Sequence, residues 1–209
     1  MMEQIKPDLD GIKNIVFDFG RVLLNIDPKL TQIGLMELGY RPDNESAGAK
    51  DDEVVVKLER GAISENEFID TVISVVREGA TREDIIRIWN AMLLDFPESH
   101  VATLRKLRKD YRIFLLSNSN SIHFNSYTAT FRERYGIELD SLFDKMWFSF
   151  HIGIIKPDPA IFRYILEDEN LIPSETLFID DTLVHVKAAE STGIRGFHLS
   201  DGHDISDLF

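Results

Sequence analysis

The sequence predicts an α/β protein in which a parallel sheet carries a helical insertion after its first strand. Residues 97 to 199 alternate short apolar runs, which are typical of buried strands, with segments of helical spacing. Strands separated by helices in this way form a parallel sheet with right-handed crossovers. An apolar run at 15 to 17 supplies the first strand, and residues 27 to 95 show helical patterns only.

The composition fits a globular protein that binds neither nucleic acid nor membranes. The 209 residues are 44% hydrophobic and 28% charged, which suits one α/β domain with a modest insertion. The net charge of −13 repels anionic polymers and lipids, so an anionic substrate needs local help from a metal or from cations. Cys is absent, which excludes disulfides and thiolate metal sites. We find no signal peptide or membrane helix and predict a soluble, cytoplasmic protein of undetermined oligomeric state.

The helical insertion has clear start and stop signals. Asp27 and Pro28 form an N-cap and a first-turn proline, and Gly39 ends the apolar pattern that follows. A second pattern at 54 to 58 ends near Gly61. Two capping boxes then predict two further helices. These boxes are Ser64 with Glu67 and Thr81 with Asp84.

The remainder of the chain follows a strand and helix rhythm. The predicted strands are 112 to 116, 146 to 150, 176 to 179 and 194 to 199, and the predicted helices lie around 101 to 107, 122 to 135, 157 to 166 and 183 to 189. Lys156 and Pro157 are expected to open the third of these helices. We therefore assign residues 1–26 and 96–209 to the core and residues 27–95 to the insertion.

Each strand of the predicted core is followed by polar side chains at its carboxyl end, which is where open α/β sheets bind ligands. These residues are Asp18, Ser117, Asn118, Lys156, Asp180 and Asp181. Each has a structural alternative, because an Asp before a Gly forms turns, Ser, Asn and Asp cap helices, and a loop Lys is commonly solvated. These alternatives do not explain why apolar strands deliver all of them to one edge.

The chemistry that fits this set is displacement at phosphorus. Asp18 is the candidate nucleophile, since a carboxylate can form an aspartyl-phosphate. Mg²⁺ bound by Asp18, the Gly20 carbonyl and Asp181, with Asp180 in support, would offset the repulsion between nucleophile and phosphate. Lys156 and the Ser117 hydroxyl are candidates for binding the negatively charged phosphoryl group, because both can stabilise phosphoryl oxygens.

The ordered segments DFGRV, LLSN, GIIKPDPAIF and LFIDDT resemble the four motifs of the haloacid dehalogenase-like (HAD) hydrolase superfamily, across essentially the whole chain. The resemblance implies a three-layer Rossmann-like core with a small helical cap domain at 27–95. It is strongest to the sugar-phosphatase-like subgroup that includes α-D-glucose-1-phosphate phosphatase. It implies that Asp18, Ser117 and Lys156 are catalytic and that Asn118 contacts substrate. Arg21 follows the first motif and is a further substrate-binding candidate, with a solvated loop role as the alternative.

The chain departs from the family pattern at Gly20. Most phosphatases of the superfamily carry there a second Asp that acts as general acid and then as general base. The backbone carbonyl survives the replacement, but the proton donor does not, and a general acid is typically worth about 10² to 10⁴ in rate. Three outcomes are open: a substrate with a good leaving group, a substitute acid from the cap or water, or slow turnover.

The histidines are weaker candidates. His185 stands where relatives commonly have Asn or Asp, and it can replace that partner, orient Asp181 or Lys156, or merely cover its helix. A structural role is favoured for His151. Three further histidines do not show a metal-binding spacing. They are His123, His198 and His203.

We therefore predict a Mg²⁺-dependent phosphatase of a small phosphorylated metabolite, such as a sugar phosphate. One alternative is a C–halogen hydrolase, for which the missing acid is no loss because halide leaves without protonation. The paired Asp180 and Asp181 argue against it, since they suit a metal. A second alternative is a catalytically weak relative that only binds phosphorylated ligands.

Overall fold

The computed structural model describes residues 6–41, 47–200 and 202–209, with the backbone alone at 47–52. Its strands form one parallel sheet with the order β3-β2-β1-β4-β5. The strands are β1 (Asn14–Phe17), β2 (Arg112–Ser117), β3 (Lys145–Phe148), β4 (Thr176–Asp180) and β5 (Arg195–His198). The order places β1 at the centre, between β2 and β4, as a strand that is apolar on both faces requires.

Helices connect these strands and supply the insertion. They are α1 (Pro28–Glu37), α2 (Ala47–Glu59), α3 (Glu65–Val75), α4 (Arg82–Trp89), α5 (Glu98–Leu107), α6 (Ser121–Tyr135), α7 (Ser149–Ile152), α8 (Pro159–Asp168), α9 (Leu183–Glu190) and α10 (Ile205–Leu208). Short 3₁₀ turns occupy Asn90–Met92, Leu139–Leu142 and Pro173–Glu175. Among the described residues, no helix is both long and apolar enough to cross a bilayer.

The sheet separates two hydrophobic clusters. Phe17 belongs to the cluster on one face and Val16 to the cluster on the other, and both side chains are fully buried. This alternation follows from the strand geometry, in which successive side chains point to opposite faces. Helices cover both faces, so the predicted three-layer α/β core is confirmed.

The inserted helices α1 to α4, which we call the cap helices, have a hydrophobic cluster of their own around Leu58, Phe68 and Ile85. Both predicted capping boxes are present, at Ser64 and at Thr81. The two chain segments that lead into and out of these helices pair antiparallel at Ile26 and Leu93. We propose on this basis that residues 27–95, as far as the structure describes them, form a separate cap domain.

Two local predictions are wrong, and one structural alternative is removed. The strand predicted at 146 to 150 ends at Phe148, because Ser149 begins the short helix α7. Lys156 and Pro157 do not open a helix: α8 begins at Pro159, with Asp158 as its N-cap. The N-cap after β2 is Asn120, which accepts a hydrogen bond from the His123 amide, so Ser117 and Asn118 do not cap α6.

Candidate active site

The three central strands end at the same sheet edge and place their terminal polar residues side by side. Phe17 of β1 is in register with Leu115 of β2 and with Ile179 of β4. Asp18, one residue further along, donates its backbone N–H to the Ile179 carbonyl at 2.9 Å. Asp18 and Asp180 therefore lie level with each other across the β1 and β4 pair.

Lys156 lies between the two carboxylates and is 2% exposed. Its Nζ donates to Asp18 Oδ1 at 2.5 Å, to Asp180 Oδ2 at 2.7 Å and to the Leu116 carbonyl at 3.2 Å. An ammonium group has three N–H donors, so all of them are used. The Lys156 side chain is therefore an integral part of the sheet edge and not a solvated loop cation.

The ionisation of these groups follows from burial and mutual contact. Burial, helped by the Asp180 charge, raises the pKa of Asp18 to about 6 although Lys156 opposes this. Burial also disfavours the Asp180 carboxylate, but Lys156 and His185 outweigh it and lower the pKa of Asp180 to about 2. For Lys156, burial acts against the charged form, and the two carboxylates overcome it and raise its pKa.

Asn118 fixes the loop that carries Lys156. Its Oδ1 accepts the Lys156 backbone N–H at 2.8 Å, and its Nδ2 donates to the Lys156 carbonyl at 2.9 Å. The structure thus gives the Asn118 side chain a positioning role, while its predicted contact with substrate stays a prediction. Ser117 is buried beside it at the end of β2, and its Oγ lies 3.3 Å from the Asn118 carbonyl.

The donor set at the sheet edge fits Mg²⁺. Carboxylate oxygens of Asp18, Asp180 and Asp181 lie within 4.8 Å of one another, and such hard oxygen ligands are what Mg²⁺ prefers. Asp180 is already committed, because Oδ2 accepts from Lys156 and Oδ1 accepts the Thr182 backbone N–H at 2.7 Å. This leaves Asp18 and Asp181 as the better direct ligands and gives Asp180 the supporting place. The Gly20 carbonyl stays a predicted ligand.

The predicted peripheral residues divide into two groups. His185 belongs to the site, since its Nδ1 lies 3.1 Å from Asp180 Oδ2; it thus contacts Asp180 instead of Asp181 or Lys156. Arg21 is half exposed and lies 3.7 Å from Asp181, a separation at which an exposed pair contributes little. His151 is exposed and packs against the Phe150 ring, so the structural role favoured for it fits.

His123 and His198 have other partners. Asn120 and the Trp89 carbonyl bind the ring of His123, and His198 Nε2 lies 2.9 Å from the Asp181 carbonyl. Among the described residues, neither ring belongs to a cluster of three or more side chains that could hold a metal.

One acidic residue near the site was missed by sequence reasoning. Glu59 is the last residue of α2 and is half-buried. Lys156 and His185 both act to lower the pKa of its carboxyl group. The only signal in the sequence was its place two residues before Gly61, the predicted end of the helix, and an acid there resembles any solvated helix residue.

Comparisons with known proteins agree with this geometry. Residues 12–193 match the family model described as haloacid dehalogenase-like hydrolase. A curated D-ribitol-5-phosphate phosphatase of Bacteroides thetaiotaomicron is 30% identical over 92% of this chain and 94% of its own length. A curated sesquiterpene phosphatase of Aspergillus oryzae is 28% identical over 90% of each chain.

The fold comparison gives the same result. A crystal structure of a HAD family enzyme from B. thetaiotaomicron, in complex with magnesium and inorganic phosphate, superposes with a TM-score of 0.87. The two chains are 31% identical, and the match covers 95% of this chain and 99% of the other. Because the similarity includes the α/β core and the cap helices together, this chain belongs to the haloacid dehalogenase-like hydrolase family.

Proposed function

We propose that this Mg²⁺-dependent phosphatase hydrolyses the monoester of a small phosphorylated polyol or sugar, with Asp18 as its nucleophile. The observation that carries the proposal is the buried contact of Lys156 with Asp18 and Asp180, beside the partly exposed Asp181. It joins a nucleophile, a cation and metal ligands at one sheet edge. The similarity to a D-ribitol-5-phosphate phosphatase supports the substrate class.

The residues divide the work as follows. One carboxylate oxygen of Asp18 attacks phosphorus, the bond from phosphorus to the ester oxygen breaks, and an aspartyl-phosphate forms. Water then attacks that phosphorus and releases Asp18 and inorganic phosphate. Lys156 keeps a positive charge beside the attacking carboxylate in both steps.

A metal and its neighbouring residues would offset the repulsion between the Asp18 carboxylate and the phosphate of the substrate. Asp18, Asp181 and the Gly20 carbonyl would hold Mg²⁺, which would neutralise charge between the attacking carboxylate and the phosphate. Asp180 keeps Lys156 in place and has its own position fixed by the Thr182 amide and by His185. The Ser117 hydroxyl, at the end of β2, would donate to a phosphoryl oxygen.

The experiment is a screen of sugar and alditol phosphates with Mg²⁺ and with EDTA, followed by Asp18→Asn. We expect phosphate release that needs Mg²⁺, and a fall of about 10³-fold or more in the variant, as for other lost nucleophiles. Asp70→Asn, at an exposed position of α3, is the matched control and should be as active as wild type.

Three results would contradict the proposal. Full activity of Asp18→Asn would show that Asp18 is not the nucleophile. Release of halide from haloacids, unaffected by EDTA and without phosphate release, would indicate the C–halogen hydrolase instead. Metal-dependent binding of phosphate esters without turnover would indicate a relative that only binds them.

A further inference from the structure

Gly20 leaves the position of the missing general acid without a side chain. A Cβ built there would lie 2.9 Å from Ile26 Cδ1, the far end of a flexible side chain that would have to shift. Ile26 belongs to the segment that leads into the cap helices and pairs there with Leu93. The proton donor for the leaving group must therefore come from another part of the chain or from water.

The C-terminal end of α2 lies against the loop that leads to Lys156. Gly61 has a φ of +62°, and a Cβ placed on it would be 2.3 Å from the Phe150 carbonyl oxygen. The Arg60 carbonyl is within 4.0 Å of the equivalent position on Gly153. On the other side, Leu58 is buried in the hydrophobic cluster of the cap helices. Glu59 lies between these two anchors, close enough to Lys156 for the charge of that lysine to act on its carboxyl group.

Glu59 is a carboxyl group without a fixed partner. Within the described ranges its side chain makes no hydrogen bond and no ion pair. Burial, its largest influence, raises the pKa of Glu59 to about 7, although Lys156 and His185 both act to lower it. Near neutral pH the group therefore exists in both protonation states, which is what acid and base steps at one residue need.

The other charged groups around this position are engaged elsewhere or exposed. Lys57, on the same helix, forms an ion pair with Glu53 at 2.7 Å. Arg60 is exposed, and so is His151 on α7. Lys156 and His185 are therefore the groups that act on the Glu59 carboxyl group.

From this placement we infer that Glu59 is the acid and base residue of the reaction, supplied by the cap in place of the Asp that Gly20 replaces. The inference rests on the proposed function. In the first step the ester oxygen leaves phosphorus with the bonding electron pair and takes the proton of the Glu59 carboxylic acid. In the second step the Glu59 carboxylate accepts a proton from the water that attacks the aspartyl-phosphate, and the acid is restored.

His185 is less suited to this role. Its Nδ1 is directed at both oxygens of Asp180, at 3.2 and 3.1 Å, so the ring is tied to the group that positions Lys156. Loss of His185 should therefore disturb the Lys156 network with every substrate alike. Loss of a proton donor should depend on how much the leaving group needs a proton, and this difference separates the two residues.

The test is Glu59→Gln, which keeps the size of the side chain and removes the transferable proton. We would measure kcat/KM for an alkyl phosphate, such as an alditol phosphate that the wild type hydrolyses, and for 4-nitrophenyl phosphate. The value should fall by about 10² to 10⁴ for the alkyl ester and by less than about tenfold for the aryl ester, whose leaving group needs no proton. The aspartyl-phosphate should accumulate, because the base for the second step is missing as well. A burst of 4-nitrophenol release would report this accumulation.

Glu53→Gln, on the exposed side of the same helix, is the matched control and should leave both values unchanged. Equal losses for the two esters, or no loss, would overturn the assignment of Glu59. The same conclusion would follow if His185→Asn, and not Glu59→Gln, gave the loss that depends on the leaving group. Absence of any phosphatase activity in the wild type would instead refute the proposed function, so the two failures are distinguishable.

Discussion

The sheet edge and the cap helices present their acidic groups in opposite ways. At the sheet edge, Asp18 and Asp180 each accept a hydrogen bond of 2.7 Å or less from the same buried ammonium group. In the cap, Glu59 has neither a hydrogen bond nor an ion pair within the part of the chain that the structure describes. The paired carboxylates are fixed in position, whereas the unpaired one is free to exchange a proton.

The two regions also differ in what holds them. The sheet edge is fixed by backbone ladders on both sides of β1, in which hydrogen bonds set the register residue by residue. The end of α2 is held by side-chain packing around Leu58 and by one close approach of Gly61 to Phe150. The position of the end of α2 therefore depends on a few contacts. We expect the two regions to respond differently to substitution.

The largest effect should come from breaking the sheet edge with Lys156→Met. The change leaves two buried carboxylates without their cation, and breaking a buried ion pair in this way typically lowers the free energy of unfolding by about 3 to 5 kcal/mol. Phosphatase activity should be lost as well. Urea unfolding measures the stability, with Lys187→Met at an exposed position of α9 as control. A loss below about 1 kcal/mol would contradict the view that this network holds the edge together.

The cap contact should be broken by Gly61→Ala. A positive φ is unfavourable for Ala by about 1 to 2 kcal/mol, and overlap with the Phe150 carbonyl adds about 1 to 3 kcal/mol unless α2 moves. We expect lower stability together with a lower kcat for alkyl phosphates, because Glu59 is displaced. Gly79→Ala is the matched control, since its φ is +87° and a Cβ there meets nothing within 4 Å. Similar kinetic losses in both variants would contradict the positioning of Glu59 by this contact.

The amino-acid sequence was sufficient to predict most of the sheet edge. A strand buried on both faces must end where its apolar run ends, so the pattern alone places Asp18, Ser117 and Asp180 at strand ends, where the structure has them. Capping boxes are equally local, and the two predicted at Ser64 and Thr81 are both present. Features that depend on a few neighbouring residues are predictable because the physical cause lies within the same stretch of sequence.

Features that depend on remote segments were not predictable in this way. Phe150 is of a residue type that is common in strands, but the sheet pairing ends at Phe148 and a helical turn follows. The position of Glu59 depends on the backbone of Gly61 meeting the backbone of Phe150, and no local pattern indicates that contact. An acid at the end of a helix is normally solvated, and only tertiary packing makes this one different.

The smallest effect we predict concerns His123, where α6 of the core meets the cap helices. The ring is buried, accepts from Asn120 Nδ2 at Nδ1 and donates from Nε2 to the Trp89 carbonyl, an arrangement that requires the neutral form. Burial lowers the pKa of His123 to about 4, below the value of about 6.5 in the unfolded chain. Between these two values the unfolded state binds more protons, so stability falls as the pH falls.

Acidification from pH 7 to pH 5 should therefore lower the free energy of unfolding by about 2 kcal/mol through His123. Urea unfolding of His123→Gln at both pH values measures this share, because the variant should lose less stability than the wild type over the same interval. An equal loss in the two proteins would show that His123 is already accessible to protons in the folded state. The contact between α6 and the cap helices would then tolerate a charged ring, which its buried hydrogen bonds to Asn120 and Trp89 argue against.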